Sequence, residues 1–245
     1  MLALGLCVMA SAEMRTWNFR TGEQLEAEFV KLYFGKIVLK DSAGKEWTLP
    51  VEDFVLSDED KEFLALENIP ELKLEFKKSI TQKNFTNVRY AEDRPPEDRA
   101  SFGASVQQKG TGDYSFELSV EFFAIGKEIK GNRYILLDRS SDKFTLTKEN
   151  KREFEFYSNR VVRLTDMWTN NETYSERGEQ YFGFLVVVKD KRGKVVAMNA
   201  SNDWLLEHLD NMEERMIGNY MDETCTRTYP TRPKSYIAAR EAGRE

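Results

Sequence analysis

Histidine occurs once in the 245 residues and cysteine twice. His208 has no second histidine or thiolate to work with, so neither a His-based triad nor a zinc site can be assembled. It follows Leu205 and Leu206 in a helical pattern and reads as a helix-surface residue. Cys225 is the one cysteine outside the N-terminal apolar run, so no internal disulfide is expected. Its neighbours, Asp222 to Arg227, are polar or charged, and it is expected to be a partly buried or merely tolerated thiol. Basic charge is not in excess: Lys+Arg number 36 against Asp+Glu 42, net -6. A protein that tracks phosphates needs a basic face, so nucleic acid is not an expected partner. The longest N-terminal apolar run, Leu2 to Met9, falls short of the roughly 20 residues a membrane-spanning helix requires. Gly110-Thr111-Gly112 lacks the third glycine and the strand–helix setting of a dinucleotide fingerprint. Asp58-Glu59-Asp60 lacks EF-hand spacing. No catalytic residue, cofactor or metal ligand is therefore expected.

Hydrophobic residues make up 40% of the chain and aromatics 12%, which supplies a packed core. The apolar run ends at Ala10-Ser11-Ala12, a small-x-small site of the kind signal peptidase accepts. Residues 1–12 are read as a signal peptide, and the protein as exported: periplasmic, on the outer surface or extracellular. Leu6 before Cys7 is a poor fit to a lipidation motif.

From residue 14 the pattern is one of strands. Leu25, Ala27 and Phe29 alternate with Gln24, Glu26 and Glu28, and Ile37 and Leu39 repeat the period of two. Asp41 to Gly44 supplies turn chemistry before Trp47-Thr48-Leu49. Ser57 followed by three acids predicts a capped helix start. Arg15 and Trp17, Gly22, Lys36 and Leu39, Asp41 with Gly44 and Lys45, Leu49-Pro50-Val51, and Leu56-Ser57 with Asp60 stand in the order of a known small domain. Over residues 14–64 the chain resembles the Sla homology domain one, an SH3-like barrel. That resemblance implies a small barrel at residues 13–66; in a eukaryotic endocytic adaptor the domain reads short sorting peptides, but no peptide-reading position carries over.

A linker is expected at 67–71, followed by a larger domain over 72–225. Segments such as YSFELSVEFFA, with Tyr114, Phe116, Leu118, Val120 and Phe122 in phase, predict a succession of short strands. Eight of them with turns between favour an immunoglobulin-like β-sandwich; the absence of Cys-Trp-Cys spacing excludes an antibody-type domain. Leu205, Leu209, Met212 and Met216 predict one helix over 203–217, stopped at Gly218. Residues 226–245 read as a loose tail.

The fold class expected is thus mostly β: a small barrel, a sandwich and one late helix. Glu153 and Glu155 share one face of a strand; paired carboxylates can hydrolyse glycosides, but two acids on a wet strand face read as solvated surface. The polar loop 165–180 carries Trp168 and Tyr174, the two candidate binding residues. Asn84, Asn171 and Asn199 sit in sequons that matter only in a glycosylating host. The barrel-then-sandwich arrangement resembles an exported immunoglobulin-like protein associated with type IV pilus machinery, a resemblance of architecture carried by no motif. The expected role is a non-enzymatic envelope or surface interaction module with a protein partner. The alternative is a carbohydrate-binding or carbohydrate-processing protein that uses the 165–180 loop.

Overall fold

The computed structural model describes residues 14–33, 35–83, 97–110, 114–129, 131–165 and 179–231. The expected signal peptide, Trp168, Tyr174, Asn84 and Asn171 lie outside these residues. The chain divides into two compact units, one ending at Pro70 and one beginning at Glu71. It is mostly β, and every sheet is antiparallel.

In the first unit β1 (Met14–Asn18), β2 (Gln24–Tyr33), β3 (Lys36–Asp41) and β4 (Glu46–Pro50) form a meander in that order. Its alternating apolar residues converge on Trp17, packed with Ala27, Phe29, Ile37, Leu39, Phe54 and Leu64. The β2 ladder slips between Phe29 and Lys31, a bulge that brings Leu32 back to the core side. A 3-10 turn at Val51–Asp53 returns the chain to β1. There Phe54 bridges Phe19, and the Val55 amide donates to the Asn18 carbonyl at 2.8 Å. The helix α1 (Asp58–Glu67) starts at the expected cap: the Asp60 amide donates to Ser57 Oγ, and the Ser57 amide to the Asp60 carboxylate.

The second unit is a sandwich. One sheet joins β5 (Leu72–Lys83) to β6 (Glu97–Gln108), with β9 (Glu153–Tyr157) and β10 (Val162–Thr165) in tandem on the other side of β6. The other sheet includes β7 (Tyr114–Glu128), β8 (Tyr134–Leu146), β11 (Glu179–Asp190) and β12 (Val195–Ala200), and runs β12-β11-β7-β8. Consecutive hairpins split between two sheets in this way give the strand order of an immunoglobulin-like sandwich. Phe76, Phe102, Phe122, Phe144, Phe154, Phe156 and Phe184 interleave rings within it, Phe76 lying parallel to Phe184 at 4.8 Å.

The second sheet is covered on both faces, and β7 records this in its sequence. Residues 114–121 alternate between buried and less buried, whereas 122–126 are all buried. Phe123 and Ile125 belong to a second core with Leu185, Val187, Leu205, Met212, Met221 and Cys225. That core is covered by α2 (Asp203–Glu207) and α3 (Leu209–Glu213), and the short strands β13 (Tyr220–Met221) and β14 (Arg227–Thr228) bound it by continuing the same sheet beyond β8. A single helix over 203–217 is not what forms. The backbone leaves helical geometry at His208 (φ -118°, ψ 34°). Farther on, α3 ends at Glu213, where the Arg139 guanidinium donates to the Glu213 and Arg215 carbonyls at 2.7 and 3.2 Å and satisfies groups the helix end leaves open. Met216, expected on the apolar stripe, is 66% exposed as a result. Nor are residues 226–231 loose: β14 pairs with β13, and the Thr231 amide donates to Glu128 Oε1 at 2.7 Å.

One hairpin turn recurs three times. In Asp41 to Lys45 and Asp190 to Lys194 the Asp Oδ1 accepts the amides two and four residues on, at 2.8 to 3.0 Å. The fourth residue, Gly44 or Gly193, has φ 82°. Asp222 to Thr226 repeats these bonds, but the left-handed position is held by Cys225, at φ 57°. A side chain there costs on the order of 1–2 kcal/mol. The thiol offsets that by filling the second core, so Cys225 is fully buried rather than merely tolerated. Burial, then the nearby Asp222 charge, pushes its pKa up to about 12. Iodoacetamide should therefore leave Cys225 unmodified in native buffer and label it fully in urea; native labelling at the rate of a free thiol, read by intact mass, would contradict this burial.

Candidate functional site

The residues of the family-like motif are absorbed by the fold. Trp17 is buried and donates Nε1–H to the Ala27 carbonyl at 3.0 Å. The Arg15 guanidinium lies 4.1 Å from the Phe63 ring centre and 3.9 Å from the Asp60 carboxylate, clamping α1. Asp41 accepts the Trp47 indole N–H as well as its two turn amides, and these bonds hold its carboxyl below the usual range. Asp58 pairs with Lys61 at 2.8 Å and Asp60 completes the cap, so the acidic run is a helix start.

His208 stands at the break between α2 and α3. The Asn199 amide nitrogen donates to the Leu74 carbonyl at 2.9 Å, which ties it to β5 instead of leaving it open to a glycan. Among the described residues no group of three His, Cys, Asp or Glu side chains is arranged to hold a metal ion. No described helix is long and apolar enough to cross a membrane.

A surface with unused bonding capacity lies on β9, the strand Glu153-Phe154-Glu155-Phe156-Tyr157. The Gln108 amide donates to the Arg152 carbonyl and the Ser158 amide to the Phe102 carbonyl. These bonds set the phase of the antiparallel pair: residues 152, 154, 156 and 158 direct their backbone toward β6. Residues 153, 155 and 157 direct theirs away. The Glu153 amide is taken by the Asn150 carbonyl in the preceding turn. The Glu153 carbonyl and both backbone groups of Glu155 and Tyr157 meet no strand among the described residues. The sheet's opposite edge differs, since Asn199 covers part of β5.

Side chains sort by the same alternation. Phe154 and Phe156 face the core, with Phe154 stacked on Phe144 at 4.9 Å and Phe156 5.5 Å from Phe122. Both are only half-buried; among the described residues no strand flanks β9 on its outer side. Glu153, Glu155 and Tyr157 are exposed on the other face. The Tyr157 ring lies over Gly103, where a Cβ would come within 2.8 Å of a ring atom and 2.3 Å of the Phe156 carbonyl oxygen. The ring is pressed on the sheet while the residue stays 49% exposed. Beside it runs a charge ladder: Lys73–Glu75 at 2.6 Å, Lys77–Glu75 at 3.0 Å and Lys77–Glu155 at 3.6 Å. The two lysines hold the Glu75 carboxyl down at about 2. Glu155, through a hydrogen bond and its charge, raises the Tyr157 phenol above its ordinary value. The surface continues through Val161, 60% exposed, at the corner into β10.

Sequence reading placed Glu153 and Glu155 on one wet strand face, which the structure reproduces, but it could not tell that β9 is an edge. Edge position depends on which strands lie beside it, and that is set by long-range pairing.

No family model matches the chain, and no curated protein does. A crystal structure from Akkermansia muciniphila is similar at 16% identity, covering 54% of this chain and 70% of that one, with a TM-score of 0.25. A likeness that loose carries no argument about fold or task.

Proposed function

We propose that the protein is an exported, non-enzymatic interaction module of the cell envelope or surface, its N-terminal unit an SH3-like barrel, working alongside type IV pilus machinery. The observation that carries the interaction reading is the outer edge of β9, whose outward backbone groups meet no strand among the described residues and whose Phe154 and Phe156 are half-covered. Exposed strand edges recruit other chains unless they are blocked. The test is crosslinking in the native membrane fraction followed by purification. A specific envelope or pilus protein should be recovered with the chain. Recovery of no partner, together with measurable hydrolysis of envelope sugars, would overturn the reading.

The second reading, a carbohydrate binder, gains one observation. The exposed Tyr157 ring, pressed on Gly103 and rimmed by Lys77 and Glu155, offers a flat apolar face beside hydrogen-bonding groups. On a glycan array this reading requires binding that Tyr157→Ala abolishes; an array on which the wild-type protein binds nothing removes it.

A further inference from the structure

We propose that β9 is extended by a strand from a partner, and that this strand alternates basic and apolar residues. The inference rests on the interaction reading and names the chemistry of the partner at that site. Three features of β9 select it. Five backbone groups of Glu153, Glu155 and Tyr157 point outward in the phase a ladder needs. On one face the incoming strand meets Glu153 and Glu155, so lysine or arginine opposite them is favoured and acids are repelled. On the other face it meets the half-exposed flanks of Phe154 and Phe156, which Val, Ile or Leu would cover. Opposite Tyr157 an aromatic or β-branched residue pairs best.

A second copy of the chain fits this edge poorly. The fullest antiparallel self-pairing is centred on Glu155 and sets two Glu155 carboxylates face to face. Shifting the centre to Phe154 opposes Glu153 and Glu155 instead, and shifting it to Phe156 avoids the repulsion but leaves Glu153 beyond the paired stretch. Like charges directly opposite destabilise a pair. The break between β9 and β10 at residues 158–161 limits the partner to a short segment.

The test uses the full chain and two synthetic peptides of about nine residues, one alternating lysine with valine and one alternating glutamate with valine. The basic peptide should bind and slow hydrogen exchange at the Glu155 and Tyr157 amides; the acidic peptide should do neither. Glu155→Pro removes an outward N–H without touching the β6 ladder, and should weaken binding about tenfold or more. Glu155→Lys with Glu153→Lys should reverse the preference between the peptides, and it keeps the test decisive if the proline variant misfolds. Equal binding of both peptides, binding with no new protection on β9, or concentration-dependent self-pairing through β9 would each overturn the proposal. Repeating the membrane crosslinking with Glu155→Lys separates the two claims. A partner held equally by wild type and variant overturns the edge and leaves the interaction reading. A wild type that captures nothing overturns the interaction reading, and the peptides then decide the edge alone.

Discussion

Trp17→Ala is expected to unfold the N-terminal unit at room temperature. The indole is 2% exposed and packs against Phe29, Phe54 and Phe63, with ring centres 5.9 to 6.5 Å away. It also gives its N–H to the Ala27 carbonyl. Truncating a buried tryptophan costs about 3–5 kcal/mol, the transfer loss plus the cavity left behind. A unit of this size has about that much stability in total, because small domains bury a modest share of their surface. Trp17→Phe keeps most of the volume and should cost only about 1–2 kcal/mol. Urea titration with amide exchange read on β2 and β3 distinguishes the two variants. Protection of those strands in Trp17→Ala equal to wild type would show that the unit's core is centred elsewhere.

How far the sequence reaches can be judged from single elements. The Ser57 cap, the Asp41 turn and the β2 alternation were legible because each is local: the deciding atoms lie within four residues. In β7 the alternation read from Tyr114 to Phe122 gives way to continuous burial from Phe122 to Gly126, because the strand is covered on both faces there by elements distant in sequence. The helix over 203–217 divides at His208, where the backbone leaves helical geometry, and its far end is fixed by a non-local contact: Arg139, 74 residues from Glu213, caps the Glu213 carbonyl. Cys225 was misjudged because its polar neighbours in sequence are a turn rim, while its side chain points into a core built by β7, β11 and the late helices. The Asp-x-x-Gly-Lys turn, present twice, was visible as turn chemistry but not as a recurring device, and its third copy was hidden by cysteine in the glycine position. Trp168 and Tyr174 fall outside the described residues, and the surface that the described residues offer lies on β9. Its sequence was read correctly as a strand, but its edge position is a property of the sheet.

Asp138→Asn is expected to stabilise the sandwich at neutral pH and to flatten part of its pH dependence. Asp138 on β8 stands opposite Ala124 on β7 and is fully buried. Among the described residues neither carboxylate oxygen has a hydrogen bond of good geometry, and Arg160 Nε stands 3.9 Å away. Burial therefore raises the pKa above the ordinary value of about 3.9, with Ser158, the Arg139 amide and Arg160 pulling it down only in part. A raised folded-state pKa gives a definite sign. The stability contribution of Asp138 is fully present below the unfolded pKa, where the group is protonated in both states. It is lost as pH rises through the folded value, because the folded protein must then hold an ill-paired charge. Glu75 and Asp41, whose carboxyls are held low, change stability in the opposite sense, so the informative quantity is the difference between variant and wild type. That difference should be near zero at about pH 3 and reach about 1–3 kcal/mol in favour of Asn at about pH 8. Arg160→Gln should widen it, since it removes a cation that partly compensates the charge. Chemical denaturation at a series of pH values measures all three proteins. An Asn variant less stable than wild type at neutral pH would mean that Arg160 and Ser158 close on the carboxylate in solution and make Asp138 a held anion, with its contribution then growing as pH rises.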